Sequence, residues 1–131
     1  MTHKILVVED DEDNRILLTR ILEAQGYNVC EAGDGGEAIR IVSEEVPDLV
    51  LMDMGLPSVS GFEATRRIKE DPDFRKIPIV ALTAFAMEHD RQKVMDSGCD
   101  GYITKPYDIF DLLERIKEYL KSDGNGGKNN P

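Results

Sequence analysis

Leu49-Val50-Leu51-Met52-Asp53-Met54-Gly55-Leu56-Pro57 is the stretch that decides how the chain is read. Four apolar residues run into one carboxylate, and Gly55 and Pro57 stop the run. A short apolar segment bounded by turn signals fits a strand buried on both faces, as in a parallel sheet. Asp53 then stands at the strand's carboxyl end, the edge on which open α/β sheets hold their ligands.

Two further apolar runs flank it. Ile5-Leu6-Val7-Val8 ends in Glu9-Asp10-Asp11, and Pro78-Ile79-Val80-Ala81-Leu82 ends at Thr83. Residues 27–32 alternate weakly, as a half-exposed edge strand does. Gly101-Tyr102-Ile103-Thr104 is a short last strand, followed by Lys105-Pro106. Between the strands lie helical patterns with start and stop signals. Residues 13–25 carry Leu17, Ile21, Leu22 and Ala24 at helical spacing, with Asp11 or Asp13 as cap and Gly26 beyond the end. Asp34 with Glu37, and Ser60 with Glu63, have the spacing of capping boxes. The Asp34 helix carries Ala38, Ile39, Ile41 and Val42 and must stop before Pro47. The Ser60 helix reaches about Glu70. Residues 87–97 make a polar helix with Val94 and Met95 as its apolar anchors and Gly98 as its stop. Asp108 caps a final helix with Ile109, Leu112, Leu113, Ile116 and Leu120 on one face.

Strand and helix therefore alternate five times, which predicts an α/β fold with a parallel sheet and helices on both faces. The three most apolar strands belong in the centre and the second and fifth at the edges. The order 2-1-3-4-5 meets this, as in the flavodoxin-like (βα)5 doubly wound fold, whose ligand crevice lies between strands 1 and 3. Residues 1–121 are expected to form one domain. Residues 122–131 are rich in Gly, Asn and Lys and have little to bury, as in a disordered polar tail.

With 131 residues the chain suits one domain. Lys plus Arg is 16 and Asp plus Glu is 26, giving a net charge of -10. That balance disfavours nucleic acid or anionic membrane as a direct partner and suits a cation or basic proteins. No apolar run is long enough to span a membrane. The start, Met1-Thr2-His3-Lys4, leads into a strand too short for a signal peptide. Cys30 and Cys99 have no metal or redox spacing and read as buried thiols. A cytoplasmic protein is the expectation.

The strand ends hold the chemistry. Glu9 and Asp10, Asp53, Thr83 and Lys105 all emerge on one edge of a parallel sheet. Three carboxylates crowded together repel, and a hard divalent cation removes the conflict. Mg²⁺ takes oxygen ligands, one or two carboxylates, waters and phosphate oxygens, and the Gly55 carbonyl offers another oxygen. An ammonium and a hydroxyl suit a phosphoryl group. The set reads as a Mg²⁺-assisted phosphoryl-transfer site with Asp53 as nucleophile.

Over about residues 4–121 the chain resembles response-regulator receiver domains of two-component signalling, of the stand-alone cell-cycle or hybrid-kinase kind. The resemblance rests on residues 5–11 with Glu9-Asp10, on Asp53-Met54-Gly55-Leu56-Pro57, on Ser60-Gly61-Phe62, on Thr83-Ala84 and on Lys105-Pro106. It implies that Asp53 accepts a phosphoryl group from a histidine kinase or histidine phosphotransfer protein. Mg²⁺ is held by Glu9, Asp10, Asp53 and the Gly55 carbonyl. Thr83 and Lys105 contact the phosphoryl group, and the Lys105–Pro106 bond is cis. Tyr102 acts with Thr83 as the switch. The face of helix 4, strand 5 and helix 5 carries the output to a protein partner, and helix 1 with Asn14, Arg15 and Leu18 docks the donor. Glu9 stands where many members have Asp. Gly55 and Phe85 occupy positions that tune dephosphorylation and bring no polar group, so no strong internal help to an attacking water is implied.

Three other readings stay open. The chain is a receiver cut from a hybrid histidine kinase or longer regulator, a small Mg²⁺ phosphohydrolase, or a module whose binding ignores phosphorylation. The second is disfavoured because haloacid-dehalogenase-type enzymes need an acid two residues after the nucleophile, where Gly55 stands. The third is disfavoured because Glu9, Asp10, Asp53 and Lys105 are all kept.

Overall fold

The computed structural model describes residues 2–56, 60–84 and 88–124, with backbone alone for 88–90 and 122–124. Five strands and five helices alternate among them: β1 Lys4–Val8, α1 Glu12–Ala24, β2 Asn28–Ala32, α2 Gly35–Glu45, β3 Leu49–Asp53, α3 Gly61–Glu70, β4 Ile79–Thr83, α4 Glu88–Asp96, β5 Gly101–Thr104 and α5 Ile109–Gly124. The sheet is parallel in the order β2-β1-β3-β4-β5. This is the expected flavodoxin-like arrangement, with the apolar strands central and the alternating and short strands at the edges.

Alternation along each central strand sorts the core into two halves. Leu6 and Val8, Val50 and Met52, Ile79 and Ala81 face α2, α3 and α4, where Ala38, Val42, Ala64, Ile68 and Val94 meet them. Ile5 and Val7, Leu49 and Leu51, Val80 and Leu82 face α1 and α5 through Leu18, Leu22, Leu112, Ile116 and Leu120. Both faces of a central strand are thus covered, which is why its sequence is continuously apolar.

The helix starts follow their sequence signals. Asp11 accepts from the Asn14 amide at 3.0 Å, Asp34 from Glu37 at 2.8 Å, and Ser60 from Glu63 at 3.2 Å. Neither expected capping box closes in full. Glu37 reaches back to the Gly33 amide at 2.7 Å, one residue beyond the cap. Glu63 turns outward to pair with Arg66 and Arg67. Asp108 caps α5 through the amides of Phe110 and Asp111. Gly26 and Gly98 take the left-handed conformation beyond α1 and α4, at φ 95° and 98°. α2 instead stops on Val46 at φ 44°, a conformation costly for a β-branched residue. Pro47 behind it forbids another helical turn.

Four details differ from the sequence expectation. α1 buries Leu18, Thr19 and Leu22, whereas Leu17 is 59% exposed, Ile21 half-buried and Ala24 exposed. Its apolar residues spread too widely around the helix for spacing alone to pick the buried stripe. On α4 Val94 is fully buried but Met95 is 43% exposed, so one anchor holds the described part of that helix. Ile109 stays half-buried at the mouth of a groove while Leu112, Ile116 and Leu120 enter the core. α5 continues to Gly124, three residues into the stretch expected as tail, and residues 125–131 lie outside the described residues.

Candidate functional site

Pairing brings the expected residues to one edge. Asp53 is the last residue of β3, opposite Leu82 of β4. Thr83 ends β4 opposite Thr104. One more ladder bond, from the Lys105 amide to the Thr83 carbonyl at 2.7 Å, brings Lys105 to the same rim. On the other side the Glu9 amide donates to the Ala32 carbonyl at 3.0 Å, so Glu9 continues β1 beside β3.

The side chains converge. Glu9, Asp10 and Asp53 each offer an oxygen, and these oxygens lie within 4.8 Å of one another. Glu9 and Asp53 are only 6% and 7% exposed, while Asp10 is exposed. Both oxygens of Asp53 are held: Oδ1 accepts from the Gly55 amide at 3.0 Å, and Oδ2 lies 3.2 Å from Lys105 Nζ. Lys105 Nζ is also 3.6 Å from Glu9 Oε1. Thr83 is buried beside them.

Burial pushes the Glu9 carboxyl up to about 7, with Asp53 adding to the rise. The Asp11 amide, donating at 3.2 Å, and the Lys105 charge oppose it only in part. Burial alone would lower the Lys105 pKa, yet the Asp53 and Glu9 carboxylates outweigh it and the net shift is upward. The ammonium is therefore held charged as the counter-ion of this edge. Among the described residues these acidic groups form a pocket short of positive charge, with oxygen donors that fit a hard divalent cation.

Close packing fixes the acid's backbone. A Cβ on Gly61 would come within 2.3 Å of the Asp53 carbonyl oxygen and 2.6 Å of Met54 Cα. Only a glycine lets the first turn of α3 sit this tightly against the strand end. That need was visible in the sequence only as a motif position. Gly55 is different, since a Cβ there would meet Asp53 Oδ1 at an ordinary 3.6 Å. The Lys105–Pro106 peptide is cis. Tyr102 is half-buried against the α2–α4 half of the core, and its carbonyl accepts from Arg115 Nη2 at 3.2 Å. Pro57, Phe85 and Met87 lie outside the described residues. Arg15, expected to face a donor, folds back: Nη1 donates to the Glu9 carbonyl at 2.9 Å and Nε to Glu31 at 3.1 Å.

The family model for the response regulator receiver domain matches residues 5–117. The chain belongs to that family. As a receiver domain it is 43% identical over 120 residues to the polar-differentiation response regulators DivK of Brucella ovis and Brucella suis, covering 92% of this chain and 98% of theirs. Among solved structures it is similar to a CheY-like response regulator receiver domain protein from Methanospirillum hungatei (31% identity, TM-score 0.89, covering 97% of this chain and 100% of that one). It is also similar to the receiver domain of a sensor histidine kinase from Pseudomonas aeruginosa (34% identity, TM-score 0.86, covering 93% and 100%). That protein was solved with a magnesium ion coordinated in its active site cleft. No helix among the described residues of this receiver is long and apolar enough to cross a membrane.

The raised Glu9 pKa gives a stability prediction for the cation-free protein. A carboxyl whose folded pKa lies above its unfolded value, about 4.3, favours folding while protonated. Its contribution is full below about pH 4 and fades as pH rises through about 7. In EDTA, Glu9→Gln should remove this loss, so its melting temperature should fall less than the parent's between pH 6 and 8. Parallel curves for the two proteins would contradict the assignment.

Proposed function

We propose that this receiver is a phospho-accepting response regulator with Asp53 as the acceptor. The observation that carries the reading is the setting of Asp53. It is a nearly buried carboxylate with Lys105 on one oxygen, the Gly55 amide on the other, and Glu9 and Asp10 at hand. In this reading an Asp53 oxygen attacks the phosphorus of a phosphohistidine in line. The P–N bond breaks and the imidazole leaves with the electron pair. A Mg²⁺ held by Glu9, Asp10, Asp53 and the Gly55 carbonyl would neutralise charge on the transferring oxygens. Lys105 binds the phosphoryl group that Asp53 gains, and the Thr83 hydroxyl donates to it. The chain thus takes part in its own phosphorylation and slow dephosphorylation and is not a turnover enzyme.

Output follows from weak anchoring. Val94 is the one deeply buried residue on the described part of α4, so a shift at Thr83 needs little energy to move that helix. Tyr102, half-buried on the neighbouring strand, would repack with it. Phosphorylation thereby biases an equilibrium of the face formed by α4, β5 and α5, which binds a downstream protein. The donor would be a histidine kinase or phosphotransfer protein. A groove of about 540 Å³ opens beside the acidic site, and Leu17, Leu18, Ile21, Pro106, Tyr107 and Ile109 line its apolar part. It suits the apolar face of a helix that carries the phosphohistidine.

Incubation with Mg²⁺ and acetyl phosphate should add one phosphoryl group to the intact mass, and Asp53→Ala should abolish the gain. An unchanged gain in Asp53→Ala would overturn the acceptor assignment. Leu17→Glu, which places a charge in the exposed wall of the groove, should slow transfer from a phosphotransfer protein at least tenfold, since charge in an apolar contact costs several times RT. Labelling by acetyl phosphate should be unaffected. Equal slowing with both donors would contradict the docking role.

A further inference from the structure

We propose that Arg15 is a positioning residue for the cation site, holding the turn that carries Glu9 and Asp10 through a two-pronged bond to the Glu9 carbonyl and Glu31. The inference rests on the reading that Glu9 and Asp10 help hold a divalent cation.

The turn after β1 is where the site is least supported by regular structure. β1 ends at Val8 and α1 begins at Glu12. Glu9 and Asp10 must therefore be aimed by bonds specific to this loop. The Glu9 amide is tied to Ala32 by the sheet ladder, and Asp11 is fixed by capping α1. That leaves the Glu9 carbonyl, which sets the direction of the peptide leading into Asp10. Arg15 Nη1 takes it at 2.9 Å, while Nε of the same guanidinium is fixed by Glu31 at 3.1 Å.

Three features make this a brace rather than a surface ion pair. The Arg15 side chain is only 19% exposed. Its Nη1 passes 3.5 Å from where a Cβ on Gly33 would stand, so the guanidinium lies close over the turn after β2. The planar fork presents two donors in fixed relation, which a lysine does not reproduce. Glu31 lies on β2 and Arg15 on α1, so one side chain links the edge strand, the first helix and the acidic turn. Arg15 acts on the peptide backbone and touches neither the Glu9 nor the Asp10 carboxylate. Its effect is thus on where the two acids point, as a metal site's outer partners act on its ligands.

Calorimetric titration with Mg²⁺ tests this on the full chain. Arg15→Ala should weaken Mg²⁺ binding about tenfold, the lower end of the loss seen when a ligand's supporting partner is removed. Arg15→Lys keeps the charge but not the fork and should weaken it by a smaller factor. Glu31→Gln, which loosens the second prong, should act in the same direction. The Mg²⁺ concentration that half-saturates acetyl phosphate labelling should rise by the same factor as the binding constant, and saturating Mg²⁺ should restore the rate. Full parental affinity in Arg15→Lys would reduce the role to charge and overturn the proposal, as would parental affinity in Arg15→Ala. Should Arg15→Ala not fold, Arg15→Lys and Glu31→Gln decide alone. A parent protein that binds no Mg²⁺ would overturn the cation reading itself, a result distinct from parental affinity in the variants.

Discussion

Two carboxylates buried at the ends of adjacent strands, with one lysine between them, set the terms for the rest of this structure. At the 4.8 Å limit that encloses the acidic oxygens, two like charges repel by roughly 3–4 kcal/mol in a surrounding of effective dielectric about 20. That is a substantial part of the roughly 5–15 kcal/mol that holds a domain together. The fold tolerates the conflict because Glu9 takes up a proton near neutrality and Lys105 stays charged. Both responses are reversible, and under the proposed function a cation or a phosphoryl group would change the balance. In the proposed function, the tension at this edge is what would make the site responsive.

The surroundings hold one side of the site more firmly than the other. β3 and β4 are buried throughout and keep Asp53 and Thr83 in fixed register. α3 is seated on the Asp53 backbone through Gly61, so that side of the site cannot yield without moving a helix. β5 and α4 form the softer side. β5 is an edge strand, and the described part of α4 has a single deeply buried anchor. A rigid wall against a yielding one gives a local change of charge a direction in which to act. The apolar groove beside α1 stands on the remaining side, next to the loop that Arg15 braces.

Much of this was legible in the sequence because it depends on periodicity and on strand ends. Continuous apolar runs marked β1, β3 and β4 as central, and in a parallel sheet the residues that end or follow each strand arrive at one rim. That alone brought Glu9, Asp10, Asp53, Thr83 and Lys105 together. What escaped depended on three-dimensional fit. Leu17 and Leu18 are equally apolar, and only the seating of α1 decides that Leu18 is buried while Leu17 stays exposed on the groove wall. Met95 looked like an anchor because spacing cannot tell how close α4 lies to the sheet. Glu63 matched a capping box, but Arg66 and Arg67 on the next turn compete for its carboxylate. The brace from Arg15 spans a helix, a loop and a neighbouring strand, a separation that no local pattern encodes.

The central claim is that carboxylate repulsion at the sheet edge is relieved by proton, lysine or cation in exchange for one another. Calorimetric Mg²⁺ binding in buffers of different ionisation enthalpy measures that exchange directly by counting protons released. With the Glu9 carboxyl near 7, binding at pH 6 should release close to one proton, and the number should fall toward zero by about pH 8.5. Mg²⁺ binding with no proton release at either pH would contradict it.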